Sequence, residues 1–192
     1  MNIKPIETIY KGYRFRSRLE ARWAVFFDAL GVEYEYEPEG YEFDDGTRYL
    51  PDFQLKDEDI FVEVKSEKFL KEENANNYIE VLEKFSEGTS YPILLLVGTP
   101  GEKPFLMYSS FTDNNGGGVG WNYFVMISKN KVNGSLHFFP EVFLPGYTLY
   151  SHDYNNELNL ENEPADGHPY QKKFMNALTK ARQARFEFGE TP

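Results

Sequence analysis

The sequence predicts an α/β core followed by a β-rich extension and a C-terminal helix. Three observations carry that expectation. Residues 17–30 repeat apolar side chains at helical spacing, residues 91–97 form an unbroken apolar run, and the segments between them include short stretches alternating at period two, set off by turn residues. Helix, strands, helix, strand is the order of an α/β core. A length of 192 residues points to a single domain with room for a sizeable core. It divides as core 1–100, extension and loop 101–168, and final helix 169–189.

The first helix runs from Ser17 to Leu30 and closes at Gly31. Leu19, Trp23, Phe26, Phe27 and Leu30 fall at i, i+4, i+7, i+8 and i+11, one apolar stripe. Ser17 and Glu20 have the spacing of a capping box, so one reading of the Glu20 carboxylate is structural, tying off the helix start. Glu20 also lies about 80° from the centre of the stripe on a 3.6-residue wheel, and from that edge it can reach a site on the sheet beneath. Glu33 to Phe43 alternates acids and aromatics and breaks at Pro38–Gly40, a half-buried strand or a pair of them. Asp44-Asp45-Gly46 is a turn that leads into a strand over Tyr49–Asp52. Pro51 has no N–H to give a ladder, which places that strand at an edge or makes it irregular there. An acidic turn at Asp57–Asp59 precedes a strand over Ile60–Lys65. Lys71 to Ser86 is expected as a helix, striped by Tyr78, Ile79, Leu82 and Phe85, with Gly88 beyond its end. Tyr91 to Val97 reads as a strand buried on both faces.

In the second half Phe105–Ser109, Trp121–Ser128 and Leu136–Phe143 read as strands of the extension. Asp113–Gly120 is glycine-rich but is no P-loop, since no Gly-Lys-Ser/Thr follows and no helix opens after it. It reads as a mobile hairpin tip. Pro145 to Gly167 is polar and reads as a long surface loop. Pro169 to Phe188 is the final helix, with Gly189 at its end. Tyr170, Phe174, Ala177, Leu178 and Ala181 would dock it, leaving Lys173, Asn176 and Lys180 on another face.

Composition excludes several classes. With 17 Phe, 14 Tyr and 2 Trp the chain is too aromatic for a disordered one. The absence of cysteine removes a disulfide framework and a thiolate metal site, and it fits a cytoplasmic setting. The N-terminus lacks the apolar run of a signal peptide, and no stretch approaches the roughly 18 apolar residues of a membrane span, so no membrane partner is expected. His137, His152 and His168 show no metal-ligand spacing; the first reads as strand packing and the others as loop residues. A Ser-His-Asp hydrolase would lack its Gly-x-Ser-x-Gly elbow.

The net charge of −11 argues against a general nucleic-acid coating protein, but its distribution is uneven. Residues 1–22 hold Lys4, Lys11, Arg14, Arg16, Arg18 and Arg22 against Glu7 and Glu20, and residues 171–185 hold Lys172, Lys173, Lys180, Arg182 and Arg185 with no acid. Two basic ends on an acidic body can form a local surface for a phosphate backbone, or can be solvated helix faces. Cations at a helix start oppose its dipole. The arginines around Ser17 therefore favour an anion nearby, be it Glu20, the acidic body or a bound phosphate.

The stretch Tyr49–Ser66, YLPDFQLKDEDIFVEVKS, concentrates the chemistry. Alternation on the second strand puts Val62 and Val64 on one face and Glu63 and Lys65 on the other. Pairing the strands brings Asp52 beside Glu63 and Lys65. Carboxylates that close repel unless a cation lies between them, and oxygen-only ligands suit Mg²⁺ or Mn²⁺. The structural alternative is an exposed Glu63–Lys65 strand pair with Asp52 in a turn.

Pro51-Asp52, ten intervening residues, then Glu63-Val64-Lys65, with a helical Glu20 upstream, resembles the PD-(D/E)xK nuclease superfamily. The run RSRLEARWAVFFDALG…YLPDF…VEVKS is similar to small phage-encoded members in particular. The resemblance covers about residues 10–100. It implies a restriction-endonuclease-like mixed β-sheet flanked by helices, and a Mg²⁺- or Mn²⁺-dependent deoxyribonuclease in the host cytoplasm. Asp52 and Glu63 would be metal ligands, with the Val64 carbonyl as a backbone ligand and Glu20 holding the metal or its water from the helix side. Lys65 would position the attacking water; carboxylate neighbours favour a charged lysine over a free base. Arg14, Arg16, Arg18, Arg22, Lys172, Lys173, Lys180, Arg182 and Arg185 would be expected to hold DNA. RNA cleavage uses the same site, and a homodimer or a host or phage protein partner is compatible with it. The other expectation is a weak or inactive module of the same fold that binds nucleic acid or a host protein.

Overall fold

Residues 5–56, 59–103, 105–110, 120–124, 126–129, 136–139, 142–144, 147–149 and 169–186 are described by a computed structural model. The chain begins with a hairpin of β1 (Thr8–Tyr10) and β2 (Tyr13–Phe15), then enters α1 (Arg18–Leu30). Helix α1 keeps the predicted limits because both ends are chemically marked. The Ser17 hydroxyl accepts from the Glu20 N–H at 3.2 Å, and Gly31 takes the left-handed conformation at φ 72°. Trp23, Phe26, Phe27 and Leu30 are buried as the stripe requires, and so are Ala21, Ala24 and Val25.

After β3 (Tyr34–Tyr36), the turn at Asp44–Gly46 joins β4 (Tyr41–Glu42) to β5 (Arg48–Tyr49). The strand expected over Tyr49–Asp52 is broken. Only Tyr49 lies in β5, Leu50–Asp52 are irregular, and β6 starts at Phe53 and ends at Leu55. Pro51 accounts for the interruption, since it cannot donate to a ladder. β7 (Ile60–Lys65) pairs antiparallel with β6, while Asp57 and Glu58 of the expected turn lie outside the described residues. A short 3-10 helix at Phe69–Lys71 precedes α2, which covers Ala75–Thr89. The expected start at Lys71 is too early, because Glu72 is extended (φ −81°, ψ 141°) and breaks the path. The expected stop is also too early. Gly88 stays within the helix, where a Cβ would lie 3.8 Å from the Phe43 ring, and Ser90 takes the left-handed cap at φ 61°.

The central sheet has six strands in the order β10-β9-β8-β7-β6-β3, with β8 at Ile93–Val97, β9 at Phe105–Ser109 and β10 at Gly120–Phe124. It is mixed: β7 and β8 run parallel and every other pair is antiparallel. All five β8 residues are buried, which a parallel strand covered on both faces demands. On one face Phe53, Leu55, Val62, Val64, Leu94 and Leu96 pack with Trp23, Phe26 and Phe27 of α1. On the other, Phe61, Ile93, Leu95 and Val97 pack with Leu82 and Phe85 of α2. β9 and β10, read from sequence as extension, thus belong to the core sheet.

Beyond them β11 (Met126–Lys129) pairs with β12 (Leu136–Phe139), and β13 (Val142–Leu144) with β14 (Tyr147–Leu149). β14 takes the first part of what reads as loop. Residues 113–119 of the glycine-rich tip lie outside the described residues, as do 150–168, while Gly120, expected in the tip, opens β10. Helix α3 (Pro169–Gln183) docks beside α1 through Phe174, Ala177, Leu178 and Ala181, with the Phe174 and Phe26 rings edge to face at 5.8 Å. The Tyr170 side chain and Gly189 lie outside the described residues. α3 ends before the expected Phe188: the chain leaves the helix after Gln183, Ala184 is buried, and Phe186 meets the Tyr10 ring at 6.3 Å.

Candidate functional site

Asp52 owes its position to the interruption at Pro51. Its N–H donates to the Val62 carbonyl at 3.0 Å, and its own carbonyl accepts from the Glu37 N–H at 2.9 Å. The β6–β7 register pairs Phe53 with Val62, so one step further sets Asp52 opposite Glu63. Here the ladder would next draw on Pro51; instead the Asp52 Oδ2 accepts the Val64 N–H at 2.8 Å. The Val64 amide thus anchors one Asp52 oxygen.

Glu63 is 2 % exposed. Tyr49 donates its hydroxyl to Oε2 at 2.9 Å and Tyr78 donates to Oε1 at 2.6 Å. The Lys65 ammonium lies 2.5 Å from the same Oε1 and 3.9 Å from the centroid of the Tyr78 ring. A shielded cation over an aromatic face is worth on the order of 1 kcal/mol, so the Tyr78 ring and the Glu63 carboxylate both hold Lys65 in place. Burial of Glu63 contradicts the exposure in the structural alternative, although the Glu63–Lys65 pair forms and Asp52 does lie outside a strand.

Glu20 takes the cap role its sequence position suggested, and it is turned inward as well. As a cap partner it accepts from the Ser17 hydroxyl at 2.6 Å and from the Arg16 N–H at 3.2 Å. It is also buried, accepts from the Tyr36 hydroxyl at 2.6 Å, and stands near enough to Asp52 to act on its ionisation. Burial, then the charges of Glu63 and Glu20, push the Asp52 carboxyl well above its ordinary range, against the Val64 N–H and Lys65, which favour the anion. Burial and Glu63 raise the Tyr49 hydroxyl well above 10, which keeps it a donor.

The guanidinium of Arg16 also meets this cluster. Its Nη2 lies 2.9 Å from Asp52 Oδ1, and its Nε lies 2.6 Å from Glu37 Oε1. Among the described residues no group of three or more His, Cys, Asp or Glu side chains is arranged to hold a metal ion. The donor chemistry nevertheless fits a hard divalent cation, because two adjacent buried carboxylates offer only oxygen and repel each other.

The other basic residues are dispersed. Arg14 pairs with Glu7 at 2.5 Å in the open, and Arg18 and Arg22 are half-buried on α1. Lys173 donates to the Leu30 carbonyl at the C-terminal end of α1. Arg182 donates through Nε and Nη2 to the Pro100 and Gly101 carbonyls, both at 3.0 Å. Lys172 and Arg185 are exposed. Lys180 lines a groove of about 480 Å³ with Tyr10, Lys11, Asp28 and Gln183. Of the nine, Arg16 meets two of the expected metal ligands, Asp52 through its guanidinium and Glu20 through its backbone N–H.

Sequence reasoning missed Tyr36, Tyr49 and Tyr78 as the hydroxyl donors to the buried carboxylates. In the sequence Tyr78 belongs to an apolar stripe, and only the hydroxyl bond it makes to Glu63 on β7 shows its second role. No family model matches the sequence, and no curated protein matches it. No described helix is long and apolar enough to cross a membrane.

Proposed function

We propose that the chain is a divalent-metal-dependent nuclease that hydrolyses DNA phosphodiester bonds, on the restriction-endonuclease-like fold implied by the PD-(D/E)xK resemblance. One observation carries the reading: Asp52, one residue ahead of β6, and Glu63 on β7 are both buried, and Lys65 is ion-paired to Glu63. Mutual repulsion between buried carboxylates makes a cation favourable there. Asp52 and Glu63 would hold Mg²⁺ or Mn²⁺, which when bound polarises a phosphate oxygen and acidifies water. Lys65, fixed by Glu63 and Tyr78, orients the attacking water and offsets negative charge growing on the phosphate. Glu20 steadies the helix start and the Arg16 backbone next to Asp52.

A second reading has its own support. Each carboxylate already accepts hydrogen bonds from protein donors, as in a module of the same fold that binds nucleic acid or a protein without cutting. The discriminating experiment incubates the protein with linear, circular, branched and single-stranded DNA in Mg²⁺, Mn²⁺ or EDTA, beside Glu63→Ala and Lys65→Ala. Cleavage that requires the ion and falls about a thousandfold or more in the variants supports the nuclease. No cutting, or equal cutting by both variants, leaves the binding module.

A further inference from the structure

We propose that Arg16 is a resident cation on Asp52, and that its guanidinium sets the affinity of this site for a divalent ion. The inference rests on the nuclease reading. Of the two Asp52 oxygens, Oδ2 accepts the Val64 N–H, and Oδ1 receives Arg16. A divalent ion on Oδ1 would therefore meet a positive charge already in contact with that oxygen. The two cations repel, so they compete.

The placement of Arg16 suits a removable occupant. Its backbone is fixed, its N–H donating to the Tyr36 hydroxyl at 2.9 Å and to Glu20 at 3.2 Å, while its side chain remains 54 % exposed. The guanidinium is steadied at its rear by Glu37. Glu37 adopts φ 47°, a left-handed backbone that a non-glycine residue takes at a cost, and its N–H is bound to the Asp52 carbonyl. That arrangement aims the Glu37 carboxylate at Arg16 and leaves a half-buried acceptor on which the guanidinium can remain once it leaves Asp52.

Calorimetric titration of the metal-free protein with Mn²⁺ tests this without any cleavage assay. Arg16→Gln should bind Mn²⁺ about tenfold more tightly than the parent, the scale of one charge-assisted hydrogen bond. Arg16→Lys keeps the charge but loses the planar fork, so it should fall between them, and it provides the comparison if the glutamine variant does not fold. The Mn²⁺-induced rise in Tm should follow the same order. Equal or weaker binding in both variants overturns the inference while leaving ion-dependent cleavage by the parent, and thus the nuclease reading, standing. No bound ion in any of the three, or binding that survives Glu63→Gln, overturns both.

Discussion

The two ends of helix α1 use the same residue types for opposite purposes. At the N-terminal end, Ser17, Arg16 and Tyr36 hold the buried Glu20, and Arg16 reaches on to Asp52, a buried carboxylate that is electrostatically disfavoured. At the C-terminal end, Lys173 caps the Leu30 carbonyl, and the Lys11–Asp28 pair at 2.9 Å sits in a half-open setting where such pairs contribute about 0–1 kcal/mol. One end stores charge away from water; the other uses charge to finish a helix. Charge counted along the sequence therefore says less than where each charge is buried.

Asp52 offers the largest contrast. Its folded-state pKa lies above the ordinary 3.8, so between those values the folded protein holds a proton that the unfolded chain releases. The contribution of this group to stability is therefore lost as pH rises through that window and regained on acidification. Asp52→Asn, measured without metal, should match or exceed the parent Tm at neutral pH, and the gap should close towards about pH 4. A gap independent of pH would show that Asp52 is not disfavoured. Next in size, Ser17→Ala removes the cap and a hydroxyl partner of buried Glu20, for an expected loss of about 1–2 kcal/mol in urea unfolding. A loss as small as that of an exposed substitution would erase the distinction between the two ends. Smallest, Lys173→Ala should cost about 0.5–1 kcal/mol through the C-terminal cap and, if the protein binds DNA as proposed, leave the salt dependence of that binding unchanged. Lys180→Ala should do the reverse, with stability within about 0.5 kcal/mol and a flatter salt slope if the groove meets phosphates. Matching effects from the two lysines would mean that the C-terminal end has one role, not two.

Local signals foretold much of this arrangement. The caps of α1, the apolar run of β8 and the alternation of β7 are all written within a few residues, and they place Glu20, Glu63 and Lys65 correctly. What escaped depends on neighbours distant in sequence. α2 has no side-chain cap at Asn74 and carries its left-handed stop on Ser90 rather than on a glycine, so its limits have no local mark. Tyr78 looks apolar until the helix is laid over β7, and Lys173 and Arg182 look like a basic face until the carbonyls they meet are in place.

β7 acquires its two neighbours by different routes. β6 returns to it across a short hairpin, whereas β8 reaches it only after the connection that contains α2. Local pairings form before those of long separation. Asp52 and Glu63 would therefore face one another in water first, and α2 would bring Tyr78 down over them later. Arg16, or the ion proposed to compete with it, would then settle on the acids while they are still wet, before the last layer of the protein closes around them.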